Sequence, residues 1–124
     1  MQYTIDFWKD HLQSAIPLPN GEFARITIDD LYHLMIDDRI MRKPERIEQI
    51  IRNTFEIRQA KEGRRRILST WEESGWLLFG FAIIDSDNSI RTMHIINRRG
   101  LRKYQNQAVL WSQSELQAPG TVPQ

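Results

Sequence analysis

The chain has 124 residues, of which 40% are hydrophobic, and this is enough apolar material for one domain with a single core. It has no cysteine, which excludes disulfide bonds and thiolate metal sites. The formal net charge of +1 gives no strong overall attraction to a polyanion.

The N-terminal segment does not have the basic stretch followed by an apolar stretch that marks a secretory signal. Residues 4–14 instead favour a short amphipathic helix. The two prolines and the Asn-Gly pair of "IPLPNGEF", at 16–23, then predict a turn or loop. The longest apolar run, at 76–84, is too short to cross a bilayer as a helix. We therefore expect a cytoplasmic protein without a membrane partner.

The second predicted helix spans about 27–38. Thr27 is a good N-cap residue, and Asp29 and Asp30 suit the first helical turn because acidic side chains are favourable at the positive end of the helix dipole. Apolar residues follow at spacings of three and four. This helix would carry His33 among mostly apolar neighbours.

Pro44 begins the clearest predicted element, since proline fits the first turn of a helix. Glu48 and Arg52 form a favourable pair four residues apart on its exposed side. We expect this helix to end between Thr54 and Glu56. Its apolar stripe is Ile47, Ile50, Ile51 and Phe55.

The pattern changes to β-structure after a turn at Gly63. The segment "WLLFGFAII" is apolar at nearly every position, which is typical of a central strand, and Gly80 within it indicates a bulge or a close backbone approach. Gly100 is expected to break the chain before a fourth strand at the sheet edge. The predicted strands cover about 65–74, 76–84, 90–97 and 103–111.

This order of elements predicts an α+β fold, with N-terminal helices packed on a three- to four-stranded antiparallel sheet. We expect a single domain over residues 1–112. The polar, proline-containing residues 113–124 are expected to form a flexible tail.

The basic residues are concentrated in one part of the chain. Residues 41–66 contain nine basic and four acidic residues, whereas residues 1–40 contain three basic and seven acidic residues. A basic stripe of this kind can bind phosphate groups. The commoner alternative is a solvated helix face whose basic residues form intrahelical ion pairs.

Polar residues recur on the predicted strands in a way that can be tested. Because side chains alternate along a strand, Thr92 and His94 should share one face, about 7 Å apart, together with Ile90 and Ile96. The same alternation places Arg66 on one face with Thr70. We expect the strands to bring these polar groups onto one concave sheet surface.

Such a set could cleave an RNA phosphodiester through the RNA's own 2′-hydroxyl group, a reaction that needs no metal. Histidine suits the two proton transfers, and arginine suits the charged phosphate. The alternative interpretation is that the strand histidine has a structural role and that threonine occurs in the strands because of its β-propensity. The candidate catalytic residues are His33, Thr92 and His94, and the candidate substrate-binding residues are Arg58, Arg66, Thr70 and Arg91.

The segment "ITIDDLYHLMIDDRIMRKPERIEQI" and the later "WLLFGFAIIDSDNSIRTMHII" carry a family resemblance. Over residues 26–98 the chain resembles the phage- and toxin-associated nucleases of the barnase–EndoU–colicin–RelE-like superfamily. The resemblance implies that His33 is the helix histidine, that Lys43–Glu45 is the step into the second helix, and that Thr92 is the strand threonine. It departs at "FEIRQ", where the family often has a proline. It implies metal-independent RNA cleavage without a cofactor.

Two other functions remain open. A non-catalytic protein-binding or immunity-type module would use an aromatic surface, although we expect Trp71, Trp76 and Trp111 to lie mainly in the core. A simple nucleic-acid binder would use the basic segment alone. The possible partners are therefore RNA or another protein, and no metal site is expected because the three histidines share no ligand spacing.

Overall fold

The computed structural model describes residues 10, 15–27, 34 and 37–113. Most of the predicted helix at 4–14 and most of the one at 27–38 lie outside these residues, as does His33. The predicted tail beyond residue 113 also lies outside them.

The centre of the described fold is a five-stranded antiparallel sheet with the strand order β6-β5-β4-β3-β7. Four of its strands are neighbours in the chain and in space, and β7 joins the sheet beside β3. Antiparallel neighbours of this kind need only short connections. The strands are β3 (Thr54–Gln59), β4 (Arg65–Glu73), β5 (Trp76–Ile84), β6 (Ile90–Ile96) and β7 (Val109–Ser112).

The α+β prediction is confirmed, and the sheet and the described helices differ from the predicted arrangement. The sheet has five strands, and the described helices lie in the middle of the chain and between β6 and β7. The helices are α1 (Asp38–Met41), α2 (Glu45–Arg52) and α3 (Arg98–Arg102). Gly100 lies inside α3, where the Asn97 side chain accepts a hydrogen bond from its backbone N–H at 2.8 Å. The predicted strand at 103–111 is consequently reduced to β7.

Helix α2 forms as expected, although it ends earlier than predicted. Ile47, Ile50 and Ile51 are completely buried, and Arg52 Nε lies 2.6 Å from Glu48 Oε1. The helix ends at Arg52, and "TFEIRQ" forms β3. This segment has no glycine or proline before it, which is why its strand character was hidden behind the helical stripe.

A small hairpin precedes these elements. β1 (Ala15–Pro17) and β2 (Phe23–Arg25) pair antiparallel around the predicted turn, so that "IPLPNGEF" is partly strand. The backbone N–H of Arg25 donates to the carbonyl of Asn88 at 2.8 Å. The hairpin is thereby attached to the turn between β5 and β6.

The core lies between α2 and one face of the sheet. Gly80, on the central strand β5, allows the closest approach: a Cβ atom at this position would lie 2.7 Å from Cγ1 of Ile50. The predicted close approach at this glycine is therefore confirmed. The apolar side chains that surround it on this face include Ile57, Ile67, Trp71, Ala82 and Met93.

The opposite face of the sheet carries the polar candidates, and we call it the site face. Helix α3 lies beside its β6 edge, and the following residues 103–108 cross toward β3, where Gln59 N donates to Ala108 O at 2.8 Å. Within the described ranges no helix has the length and apolar character needed to cross a membrane.

Candidate functional site

The register of β4, β5 and β6 determines which residues share the site face. Arg66 is paired with Ile83 and Ile83 with Thr92, while Phe81 is paired with His94. Thr92, His94 and Arg66 therefore point to the same side of the sheet, as strand alternation predicts. Phe81 lies between the histidine and the arginine.

A connected chain of polar groups crosses the edge of this face. Thr92 Oγ1 lies 3.2 Å from His94 Nε2, and His94 Nδ1 lies 3.4 Å from Asp37 Oδ2. The His94 side chain is 32% exposed and that of Asp37 only 5%, so the imidazole is reachable from solvent while its carboxylate partner is not. An imidazole held between a hydroxyl and a carboxylate has its ring orientation and its proton distribution restricted.

Asp37 is fixed by contacts on both sides. Its carboxylate accepts hydrogen bonds from the Arg39 backbone N–H at 2.8 Å and from Ile95 N–H at 3.0 Å. Burial raises the pKa of Asp37, but the hydrogen bonds from the Arg39 side chain and from these two backbone groups outweigh burial and hold the pKa below its ordinary value. The carboxylate is therefore a permanent negative charge beside His94 at neutral pH.

Aromatic rings separate His94 from Arg66. The centroid of the His94 ring is 5.2 Å from that of Phe81, and the Phe81 centroid is 5.8 Å from that of Tyr104. The Arg66 guanidinium lies 4.0 Å from the Tyr104 centroid and donates to Gln107 Oε1 at 2.7 Å. Stacking of this kind holds the cation in place without neutralising its charge.

Two predicted substrate-binding residues have their polar atoms engaged within the fold. Arg58 Nη1 donates to the backbone carbonyls of Tyr104, Gln105 and Gln107 at 2.8–3.0 Å, and Arg58 Nε lies 2.6 Å from Glu56 Oε1. The Thr70 hydroxyl donates to the Leu78 carbonyl at 3.0 Å. Both residues lie on the site face, but their bonds hold the structure together.

Arg91 lies at an irregularity of the strand pairing. The register shifts between Ile83, which faces Thr92, and Ile84, which faces Ile90. Ile90 is consequently buried in the core and does not share the face of Thr92. Arg91 itself lies 3.4 Å from Asp85 in an exposed ion pair at the end of the hairpin. The predicted grouping of Ile90 with Thr92 and His94 was thus wrong because alternation cannot reveal a bulge.

The basic segment at 41–66 is largely neutralised by acidic residues. Some pairs are within a helix, as with Glu48 and Arg52, but most involve distant carboxylates: Glu73 lies 2.8 Å from Lys43 and 2.7 Å from Arg46. The other pairs are Arg42–Asp38, Arg58–Glu56, Arg64–Asp85 and Arg65–Glu22. Most of the positive charge of this segment is therefore paired with carboxylates of the same chain.

Four exposed cations lie close together on and just after α3. Over the parts of the chain that the structure describes, none of the four has a carboxylate within ion-pair distance, and all are exposed. The sequence signal is the run "RRGLRK" at 98–103. It is easily missed because residues 67–124 as a whole contain five basic and five acidic residues and so have no net charge. The four cations are Arg98, Arg99, Arg102 and Lys103.

A groove of about 580 Å³ opens beside this helix, and we call it the basic groove. Its apolar lining includes Leu77, Phe79 and Ile96, and its wall residues Arg98 and Lys103 come from the α3 region. Phe79 is paired with Ile96, two positions along the strands from the Phe81–His94 pair and on the same face, so the basic groove begins near the histidine. Two further cations line it, Arg39 and Arg46.

The described residues contain no group of three or more histidine, aspartate or glutamate side chains arranged to hold a metal ion. Comparisons with protein-family models, curated proteins and solved structures find no match for this chain. The resemblance to the nuclease superfamily therefore stays a prediction, and the site must be interpreted from its own chemistry.

Proposed function

We propose that this domain cleaves RNA through the 2′-hydroxyl of the substrate, with His94 as the proton-transfer group and without a metal ion. The observation that carries the proposal is the position of His94 at an accessible edge of the sheet, with the Thr92 hydroxyl 3.2 Å from Nε2 and the Asp37 carboxylate 3.4 Å from Nδ1. A histidine restrained in this way is suited to move a proton near neutral pH.

The carboxylate of Asp37 favours the imidazole tautomer with its proton on Nδ1, which leaves the lone pair on Nε2. Nε2 would accept the proton of the 2′-hydroxyl while the 2′-oxygen bonds to phosphorus and the bond from phosphorus to the 5′-oxygen breaks. The imidazolium then returns that proton to the departing 5′-oxygen. Asp37 stabilises the positive charge that His94 carries between these two steps.

Thr92 and Arg66 would act on the phosphate. The Thr92 hydroxyl can donate either to His94 Nε2 or to a non-bridging phosphate oxygen, and donation to the phosphate would leave Nε2 free for the two proton transfers. Arg66 lies two strands away on the same face, roughly 10 Å across at the usual strand spacing, and its described contacts are with neutral groups, the Tyr104 ring and the Gln107 amide. Such a cation favours the additional negative charge of the phosphorane.

The test is incubation of a labelled oligoribonucleotide with purified protein in excess EDTA, with the product ends analysed for a 2′,3′-cyclic phosphate. We expect His94→Ala to lower the cleavage rate by about 100-fold or more. Thr92→Ala should lower it, whereas Thr92→Ser, which retains the hydroxyl, should restore most of it. Arg52→Ala removes one cation of an exposed helix pair and serves as the charge-matched control.

His33→Ala belongs in the same series because the family resemblance implies a role for this residue. Wild-type protein that does not cleave RNA at any pH from 5 to 9, or a rate that His94→Ala leaves unchanged, overturns the catalytic proposal. RNA binding without turnover, with an affinity that falls steeply with salt, would favour the simple nucleic-acid binder, which the unpaired cations of α3 support.

A further inference from the structure

We propose that the basic groove is a nucleotide subsite: a phosphate group bound by Arg98 and Lys103, and a base held against the apolar floor of Leu77, Phe79 and Ile96. The inference rests on the proposed function, since it adds a substrate-binding site next to the proton-transfer group. It is also a statement about binding alone, which can be measured without any cleavage.

The electrostatics of the groove favour an anion. Its described lining contains four basic side chains and no acidic one. The charges of two of the four are already neutralised, because Arg39 forms an ion pair with Asp37 and Arg46 forms one with Glu73. Arg98 and Lys103 retain their charge, and they lie on the α3 side of the groove.

The floor of the groove favours a ligand with an aromatic part. Leu77 is 51% exposed, which is unusual for a large apolar side chain on a central strand. The guanidinium of Arg98 lies 5.3 Å from the Phe79 ring centroid, so the cation and the apolar floor belong to one surface. Inorganic phosphate would use the cations and leave this floor exposed, whereas a nucleotide would cover both.

The position of the groove fits a strand of RNA that reaches His94. Ile96 lines the groove and follows His94 by two residues on the same face of β6, a separation of about 7 Å. A nucleotide in the groove would thus be the neighbour of the one whose phosphate lies at the histidine.

The test measures binding of adenosine 5′-monophosphate, inorganic phosphate and adenosine to the ¹⁵N-labelled full chain by NMR titration. We expect the nucleotide to bind at least about tenfold more tightly than either part alone, with shifts at Leu77 and Ile96. Arg98→Ala/Lys103→Ala should weaken nucleotide binding about tenfold or more. Arg99→Ala/Arg102→Ala removes the same charge from the same region but neither residue lines the groove, so binding should change less than threefold.

Equal weakening by the two double variants would mean that only general electrostatic attraction is involved, and it overturns the subsite. Phosphate that binds as tightly as the nucleotide, or adenosine that does so, overturns it as well. This outcome can be separated from that of the catalytic proposal. If the wild type does not cleave RNA but the protein binds the nucleotide, and His94→Ala protein binds it too, the subsite is supported and the catalytic proposal is rejected.

Discussion

The carboxylate of Asp37 accepts a hydrogen bond at 3.0 Å from the backbone N–H of Ile95, although 58 positions separate the two residues in the chain. The same carboxylate caps the first turn of α1. One buried side chain therefore joins the start of α1 to the edge strand β6, directly beside His94.

This connection predicts that Asp37→Asn destabilises the fold by about 2–3 kcal/mol at neutral pH. The Asp37 carboxylate accepts from two backbone N–H groups and a guanidinium, whereas the asparagine amide has only one acceptor oxygen and places an NH₂ donor where the second oxygen was. Asp38→Asn is the matched control: its carboxylate is exposed and pairs with the exposed Arg42, so the substitution should cost less than about 0.5 kcal/mol. Urea denaturation measures both. Equal costs would show that Asp37 does not link the two elements.

The stability difference should also depend on pH. The pKa of Asp37 is lowered in the folded state, so its ionised form contributes stability above the ordinary carboxyl pKa, and this contribution is lost as the pH falls through the folded pKa. The gap between wild type and Asp37→Asn should consequently narrow below about pH 4. A gap that is constant from pH 7 to pH 3 contradicts the ionised carboxylate.

Glu73 gives a second acid-dependent contribution. Hydrogen bonds from Arg46, opposed by burial and supported by Lys43 and Trp71, lower the pKa of Glu73 to about 2. Its stabilisation is fully present above pH 4.5 and is lost between pH 4.5 and about 2. We expect Glu73→Gln to cost about 2–3 kcal/mol at pH 7 and progressively less in that window. Glu48→Gln, on an exposed helix pair, should cost less than about 0.5 kcal/mol at pH 7, and equal costs for the two variants in urea denaturation would contradict the prediction.

Arg58 is predicted to stabilise the chain segment that covers the site face. Removal of its guanidinium takes one donor from each of the carbonyls of Tyr104, Gln105 and Gln107, of which that of Tyr104 still accepts from Gln107 N–H, and Arg58→Ala should cost about 2–3 kcal/mol. Arg52→Ala, which breaks an exposed pair, should cost less than about 0.5 kcal/mol. If Arg58→Ala retains full thermal stability but weakens RNA binding, the residue contacts substrate after all.

The contact of Gly80 with Ile50 predicts a packing defect. A methyl group at Gly80 would overlap Cγ1 and Cδ1 of Ile50, so Gly80→Ala should destabilise the fold by about 1–3 kcal/mol. Ile50→Ala removes both Cγ1 and Cδ1, and the double variant should therefore be more stable than the sum of the single costs implies. Strict additivity in thermal or urea unfolding would falsify this account of the glycine.

Sequence reasoning could predict α2 and the strands β4 to β6, because their apolar residues recur at periods of 3.6 and 2 and because turn residues separate the strands. It missed β3, whose first apolar residues continue the helical stripe of α2 without a breaker. It placed Thr92 and His94 on one face correctly through alternation, but the bulge beside Arg91 moved Ile90 into the core.

The remaining site residues could not be found in this way. Asp37 meets His94 only because α1 folds against the edge of β6, and spacing along the chain contains no trace of that contact. Arg58 and Arg66 have the same charge and nearby positions in the chain. One donates to three carbonyls and the other is stacked on a ring, a difference that depends on where residues 104–107 cross the sheet.

The edge of β6 has a further property. Arg39 Nη2 donates to the Ile95 carbonyl at 2.7 Å, while Asp37 takes the N–H of the same residue. Both backbone groups by which another chain could extend the sheet at this point are thus occupied by side chains of opposite charge. The edge of β6 is therefore protected against pairing with a strand of another molecule at this point. A mutation that removes either side chain should promote edge-to-edge aggregation and also lower stability.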